Sequence, residues 1–437
     1  MRILLVSTYE LGRQPFGLAS AAAWLRARGH TVDCADLAVE VLPKAAVCEA
    51  NVVAFFLPMH TATRLAARAI ERVRALNPAA RLGCFGLYAP LNEAYLRGLG
   101  VEIVVGGEFE QPLADTIERA APATAVSTAR QQFLVPDRTG LPPLADYARL
   151  HVNGSVKLAG YTEASRGCKH LCRHCPVVPV YNGRFRIVPP EVVIEDIRRQ
   201  VAAGAGHISF GDPDFFNGPA HALRIVRAFA ERYPDLTYDV TIKIEHLLKH
   251  RDLVPVLRET GCLFVTTAVE SIEDEVLARL EKGHTRADFI EVARLCREAG
   301  LELAPTFIPF TPWTTWAGYR GLLRLLVDLD LVDRVAPVQL GLRLLVTAGS
   351  RLLELPEIAA AIGEFDQAAL IYPWCHADAS LDDLSAAVLR LVARERQSSR
   401  RDIFARIWQL ATSDPLPENF DLLPRAAIPF LNEPWYC

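Results

Sequence analysis

A chain of 437 residues that is 51% hydrophobic and 22% charged has a soluble, core-forming composition, enough for two or three domains. Its formal net charge of -4 offers no basic field for nucleic acid, so a nucleic-acid partner is not expected. Apolar runs such as VVAFFLPM (52–59) are far below membrane-span length. The opening MRILLVSTYELGRQPFG lacks the apolar run and cleavage site of an export signal, so a cytoplasmic protein with no membrane partner is expected.

Strand and helix alternate through residues 1–122. RILLVST (2–8), TVDCADL (31–37), NVVAFFLP (51–58), ARLGCFG (80–86) and VEIVVGG (101–107) read as short buried strands. GLASAAAWLRARG (17–29) and residues 61–75 read as amphipathic helices between them. The pattern predicts an α/β fold with a doubly wound parallel sheet, which binds ligands at the carboxyl ends of its strands. Residues 123–160 are rich in proline and weakly periodic, and read as a linker.

A second series begins at 161. Strand-like segments start near Tyr161, His207, Leu236, Leu263, Glu302 and Val335, which predicts a partial (β/α)6 barrel over 161–345. PPEVVIEDIRRQVAAG (189–204) has helix grammar: proline first, acids early, arginines late, then glycine. Residues 346–437 form an extension, helical over 380–411, where Arg394, Arg396, Arg400 and Arg401 read as a solvated face. Its end is proline-rich.

Among ten cysteines, Cys34, Cys48, Cys84, Cys262 and Cys296 sit in apolar or helical contexts and read as ordinary thiols. Cys168, Cys172 and Cys175 differ: they form C-x3-C-x2-C after the first barrel strand. Three such thiolates suit a [4Fe-4S] cluster and leave one iron open for substrate or cofactor. Zinc is the competing reading, because His170 and His174 would complete a Cys3His set in a non-catalytic scaffold. The position at a barrel strand end favours the cluster.

CKHLCRHC resembles the cluster motif of the radical S-adenosylmethionine (SAM) enzymes, with His174 at a position often aromatic or histidine. The resemblance implies that Cys168, Cys172 and Cys175 hold the cluster. SAM would chelate the fourth iron, and an external one-electron reductant would drive SAM cleavage to modify a small-molecule substrate. HISFGDPDFFNG (207–218) resembles the family's second-strand segment, which gives Asp212, or its rival Asp214, to the SAM amino group. TIKIEHLLKH (241–250) resembles the third strand, with Lys243 and Glu245 in the cavity, and TAVESIEDEVLARLEKGHT (267–285) the fourth, with Glu270 and Ser271 beside SAM. PTFIPFTPWTT (305–315) resembles the fifth-strand segment near adenine.

The front domain resembles the cobalamin-binding domain that precedes many of these enzymes, through FGLASAAAWLRARGHTV, GCFGLYAP and VVGGEFEQPLADTI. No D-x-H-x-x-G is present, so two expectations stand: cobalamin binding, with radical methylation, or a domain that only closes the barrel mouth. YELGRQPFGLAS, YPWCHAD and LNEPWYC resemble the CUAEP/CCAEP-tail radical SAM proteins. That resemblance implies that Cys437 is the first tail position and that the gene reads on through a selenocysteine codon. The alternative is a natural terminus at Cys437. A soft tail implies Cys375 and Cys437 as soft ligands and transfer of the 3-amino-3-carboxypropyl group of SAM to arsenic. A tRNA methylthiotransferase is not expected, since the front domain has no second cysteine triad and no small β-domain follows the barrel.

Overall fold

The computed structural model describes residues 1–119, 125–152, 154–395 and 397–420, and the backbone of 430–432. Two sheets organise the chain. The first has six strands in the order Thr31–Asp36, Arg2–Ser7, Val52–Phe56, Arg81–Phe85, Ile103–Gly107, Val126–Ser127, all parallel. Its central strands are buried throughout because helices cover both faces, which is why they read as unbroken apolar runs.

Strand order reverses between Arg2–Ser7 and Val52–Phe56, where doubly wound sheets bind ligands. Here the chain fills the crevice itself. Phe56 lies 5.4 Å from the Phe85 ring and 6.0 Å from Phe109, and a Cβ on Gly17 would come within 2.2 Å of the Phe56 ring. Helix Phe16–Ala27 can start there only with a glycine at its second position. Gly17→Ala is therefore expected to cost about 1–3 kcal/mol through overpacking, read as a lower melting temperature.

The second sheet is a curled half-barrel. Its parallel strands are Ser155–Thr162, His207–Phe210, Thr237–Thr241, Cys262–Glu270 and Glu302–Phe307. Antiparallel Arg149–Val152 and Phe430–Asn432 extend the edge beside the first of them. At the sixth unit the chain makes 3-10 turns at Val332–Arg334 and Pro337–Gly341, and a single parallel bridge joins Phe310 to Arg343. Helices Pro190–Ala202, Pro219–Arg232, Arg286–Glu298 and Trp316–Asp328 enclose the largest core. The helix at Arg286–Glu298 begins with a reciprocal Thr285–Asp288 capping box.

The proline-rich stretch between the sheets is pinned by specific pairs. Arg138 pairs with buried Asp196, and Gln14 Nε2 donates to the Pro142 carbonyl at 2.9 Å. The helical extension is two helices, Ala379–Arg394 and Arg400–Ala411. Its arginines are not all solvated. Arg400 donates to the Asp333 carbonyl and Arg401 pairs with the Asp333 side chain, each at 2.7 Å, so they dock the last helix on the barrel. Arg396 lies outside the described residues. No helix among the described residues is long and apolar enough to cross a membrane.

Candidate functional site

The first barrel strand delivers its chain into a small hairpin, Ser165–Gly167 against Phe185–Ile187, and the cysteine loop is the excursion between them. Gly167 has φ +74°, and a Cβ there would strike the Tyr181 ring at 2.4 Å and the Arg184 carbonyl at 2.5 Å, so the residue before Cys168 must be glycine. Asn217 then braces the turn: its Oδ1 accepts from Lys169 N and its Nδ2 donates to the Gly167 carbonyl, both at 3.2 Å. Cys175 N bonds to the Cys172 carbonyl at 3.1 Å, bringing those two thiols onto one turn.

None of the three thiols forms a disulfide; Cys168 and Cys172 are buried and Cys175 is half-buried. Burial pushes the Cys168 thiol up to about 11, so the thiolate forms there only with a bound metal to stabilise it. Lysines supply the surrounding positive charge. Lys243 Nζ lies 3.7 Å from Cys172 Sγ and 3.4 Å from Glu245. Lys282 Nζ pairs with Glu270 at 3.3 Å, and His174 Nε2 reaches the same Glu270 oxygen at 3.1 Å.

Glu270 ends its strand at a register shift with φ +67°, a left-handed conformation uncommon for a non-glycine residue. Burial alone would raise its carboxyl; Lys282 and His174 outweigh that and hold it down at about 2. Ser271 follows with its hydroxyl accepting from Glu273 N at 3.1 Å. His174 Nδ1 is a buried nitrogen with no hydrogen-bond partner, so one polar atom beside the cysteine loop stands unmatched.

Asp212 is placed differently from the expectation that gave it to SAM. Both its oxygens face the hairpin: Oδ1 accepts from Ser165 Oγ at 2.5 Å and Oδ2 from Ala164 N at 2.9 Å. Burial outweighs those bonds and raises its carboxyl from 3.8 to about 7. The folded state thus holds a proton that the unfolded chain releases between about pH 4 and 7, and this carboxyl's contribution to stability falls as pH rises through that window. Asp212→Asn is expected to lose that slope, so its melting temperature should gain on wild type between pH 5 and pH 8. A constant difference would show that Asp212 does not titrate there.

The rival Asp214 is a partner of two histidines: His170, a candidate ligand in the zinc reading, and His246, which the sequence left unassigned. Its Oδ2 lies 2.6 Å from His246 Nδ1 and 3.6 Å from His170 Nε2, and the two histidines meet Nε2 to Nε2 at 3.2 Å. Glu245 approaches His170 Nδ1 at 3.4 Å. Cys168, His170 and Asp214 offer ligand atoms within 4.8 Å of one another, so a single metal ion would find a different donor set from the three cysteines. Cys375 is exposed, and Cys437 lies outside the described residues.

A cavity of about 200 Å³ lies where the first sheet's carboxyl edge meets the barrel. Glu10, Arg13, Phe56, Tyr161, Glu163 and Arg166 line it. Drug-sized ligands occupy about 300–1,000 Å³. A corrin is larger than those, Phe56 fills the crevice at the switch point, and no histidine lines the cavity as an axial base. Cobalamin could enter this front domain only if Phe56 and its neighbours moved. The three free thiols, with two buried lysines beside them, fit an iron–sulfur cluster.

Comparison with known proteins agrees with this geometry. Residues 162–326 match the Radical SAM superfamily. The hopanoid C-3 methylase of Methylococcus capsulatus is 25% identical over 165 residues, 38% of this chain and 32% of that protein. The tRNA-2-methylthio-N(6)-dimethylallyladenosine synthase of Chlorobium luteolum is 25% identical over 224 residues, 50% of this chain and 48% of that protein. The chain thus spans between a third and a half of these relatives. Among solved structures, the radical SAM methyltransferase TsrM from Kitasatospora setae superposes with a TM-score of 0.63 at 20% identity, covering 82% of this chain and 76% of that one. The cobalamin-dependent radical enzyme OxsB superposes with a TM-score of 0.69 at 15% identity, covering 90% and 66%. Both share the two-sheet architecture. With its cysteine loop at the head of the matched segment, the chain carries a radical SAM domain over residues 162–326.

Proposed function

We propose that this protein cleaves SAM reductively at a [4Fe-4S] cluster held by Cys168, Cys172 and Cys175, and uses the cleavage to modify a small molecule. One observation carries the reading: three free thiols, two of them buried, converge at the carboxyl end of the first barrel strand beside two buried lysines. The cluster supplies one electron, received from an external reductant, for breaking a carbon–sulfur bond of SAM.

The chain's own residues do the rest. Glu270, held ionised by Lys282 and His174, presents a carboxylate to the SAM amino or ribose groups, and the Ser271 hydroxyl lies next to it. Lys243 and Glu245, paired at 3.4 Å, stand beside the Lys282 segment. Asp212 acts through the loop, fixing the hairpin start that leads into Cys168. The front domain meets the barrel at the cysteine loop, where Arg166 reaches Glu110 at 2.6 Å and Tyr181 donates to Glu108 at 3.2 Å. Cobalamin-dependent methylation has the support of fold likeness alone, and the plugged crevice argues against it.

The test is anaerobic reconstitution with iron and sulfide, addition of dithionite and SAM, and identification of the released nucleoside. 5'-Deoxyadenosine is the expected product. Methylthioadenosine would instead signal transfer of the aminocarboxypropyl group, and arsenite would be the next acceptor tried. Uptake of one zinc and no cluster would overturn the reading. Hydroxocobalamin added to the same protein is expected to show no change in its visible spectrum.

A further inference from the structure

We propose that Lys243 and Lys282 form a charge clamp that raises the reduction potential of the metal centre. The inference rests on the assignment of the three cysteines as cluster ligands. Lysine is rarely buried without a reason that offsets its desolvation. Here two are buried side by side, Lys243 at 7% exposure and Lys282 at 3%. They arrive from different elements: Lys243 follows strand Thr237–Thr241, and Lys282 follows helix Asp274–Arg279.

Both stand against the cysteine loop. Lys243 Nζ lies 3.7 Å from Cys172 Sγ, and Lys282 Nζ pairs at 3.3 Å with Glu270, the carboxylate that His174 of the loop also reaches. The backbone is shaped for this approach. Gly283, next to Lys282, has φ +72°, and a Cβ there would come 2.7 Å from Glu245 Oε2 and 3.9 Å from Lys243 Nζ. The positive φ favours glycine here, and the atom a Cβ would meet is the movable end of the Glu245 side chain. Each ammonium has one carboxylate partner, but these differ. Glu270 is buried and shared with His174, while Glu245 has 42% of its side chain exposed, where water screens it. His284, buried beside both lysines, is kept neutral, its ring lowered to about 4 by burial and by Lys282 and Lys243.

An electron delivered to the thiolate-bound iron by a low-potential one-electron donor adds one unit of negative charge and no proton. Two ammoniums in a dry wall stabilise that added charge more than they would in water. Net charge and hydrogen bonds at the sulfurs are what set such potentials.

The experiment uses the full chain, reconstituted anaerobically, as wild type, Lys243→Gln, Lys282→Gln and Lys282→Arg. Iron and sulfide content are counted first, and the midpoint potential is then read by mediator titration with EPR, without SAM. Both Gln variants are expected to shift to more negative potential, with a smaller reduced fraction at a fixed poise, and Lys282→Arg to stay with wild type. Gln variants with a full cluster and the wild-type potential overturn the clamp, even if they bind SAM poorly, because the lysines would then serve SAM alone. An Arg variant that behaves like the Gln variant also overturns it. A wild type that takes up no cluster is a separate failure, that of the ligand assignment, and removes the clamp with it. If Lys282→Gln does not fold, Lys243→Gln reads the same effect from the other side of the loop.

Discussion

Cys172→Ala is expected to lower iron after reconstitution from about four per chain to below one, and to take SAM cleavage to the background rate. Cys172 is the middle ligand, buried, and the thiol that Lys243 contacts at 3.7 Å. Two remaining thiols cannot hold a cluster that already lacks a fourth protein ligand. The same variant separates the metal readings. A mononuclear ion would use Cys168, His170 and Asp214, whose donor atoms lie within 4.8 Å. It would survive the loss of Cys172 and be lost in His170→Ala. The cluster shows the reverse: His170→Ala leaves all three thiols in place, and should keep its iron. Metal content of the two variants, measured side by side, decides.

The parts of this site legible in the sequence are those with local grammar. Strands buried on both faces show as apolar runs, and VVAFF (52–56) is buried at every position. A ligand loop shows as cysteine spacing within one turn, and Cys168, Cys172 and Cys175 needed no long-range information. Pairings between distant segments left no such trace. Asp214, His170 and His246 meet across three elements, yet nothing in the sequence pairs them with one another. Lys282 sits in the segment KGHT beside exposed-looking charges, and only the fold shows that it is buried on Glu270. Arg400 and Arg401 read as a wet helix face because their partner, Asp333, belongs to another unit of the barrel. Asp212 follows the strand His207–Phe210, and which way a carboxylate faces there depends on the neighbouring hairpin.

Arg166→Met is expected to cost about 3–5 kcal/mol and to loosen the front domain from the cysteine loop. Arg166 stands two residues before Cys168 and is only 6% exposed. Its guanidinium lies 2.6 Å from Glu110, 2.7 Å from Glu163 and 3.8 Å from Glu108. Three rings surround it, with Phe109 at 5.2 Å, Phe133 at 5.3 Å and Phe16 at 5.6 Å. Glu108 and Glu110 follow the first sheet's fifth strand, Ile103–Gly107, so one barrel arginine ties the two domains together. Burial already raises Glu163, and pushes Glu108 up to about 7, although Arg166 opposes both shifts. Methionine keeps much of the volume and removes the cation that this acidic set surrounds. The carboxylates then stay buried without a counter-charge, or take up protons. The variant should therefore melt lower than wild type and recover part of the loss as pH falls toward 5, since protonation removes the repulsion. Arg166→Lys should recover only part of the stability, because an ammonium cannot reach three carboxylates and stack on the rings at once. The decisive readout is protection of the cysteines. If the front domain is what keeps the loop closed, anaerobic alkylation of Cys168 and Cys172 should accelerate in Arg166→Met at temperatures well below melting. Equal rates in variant and wild type would mean that the barrel alone holds the loop, and that the ion cluster serves stability only.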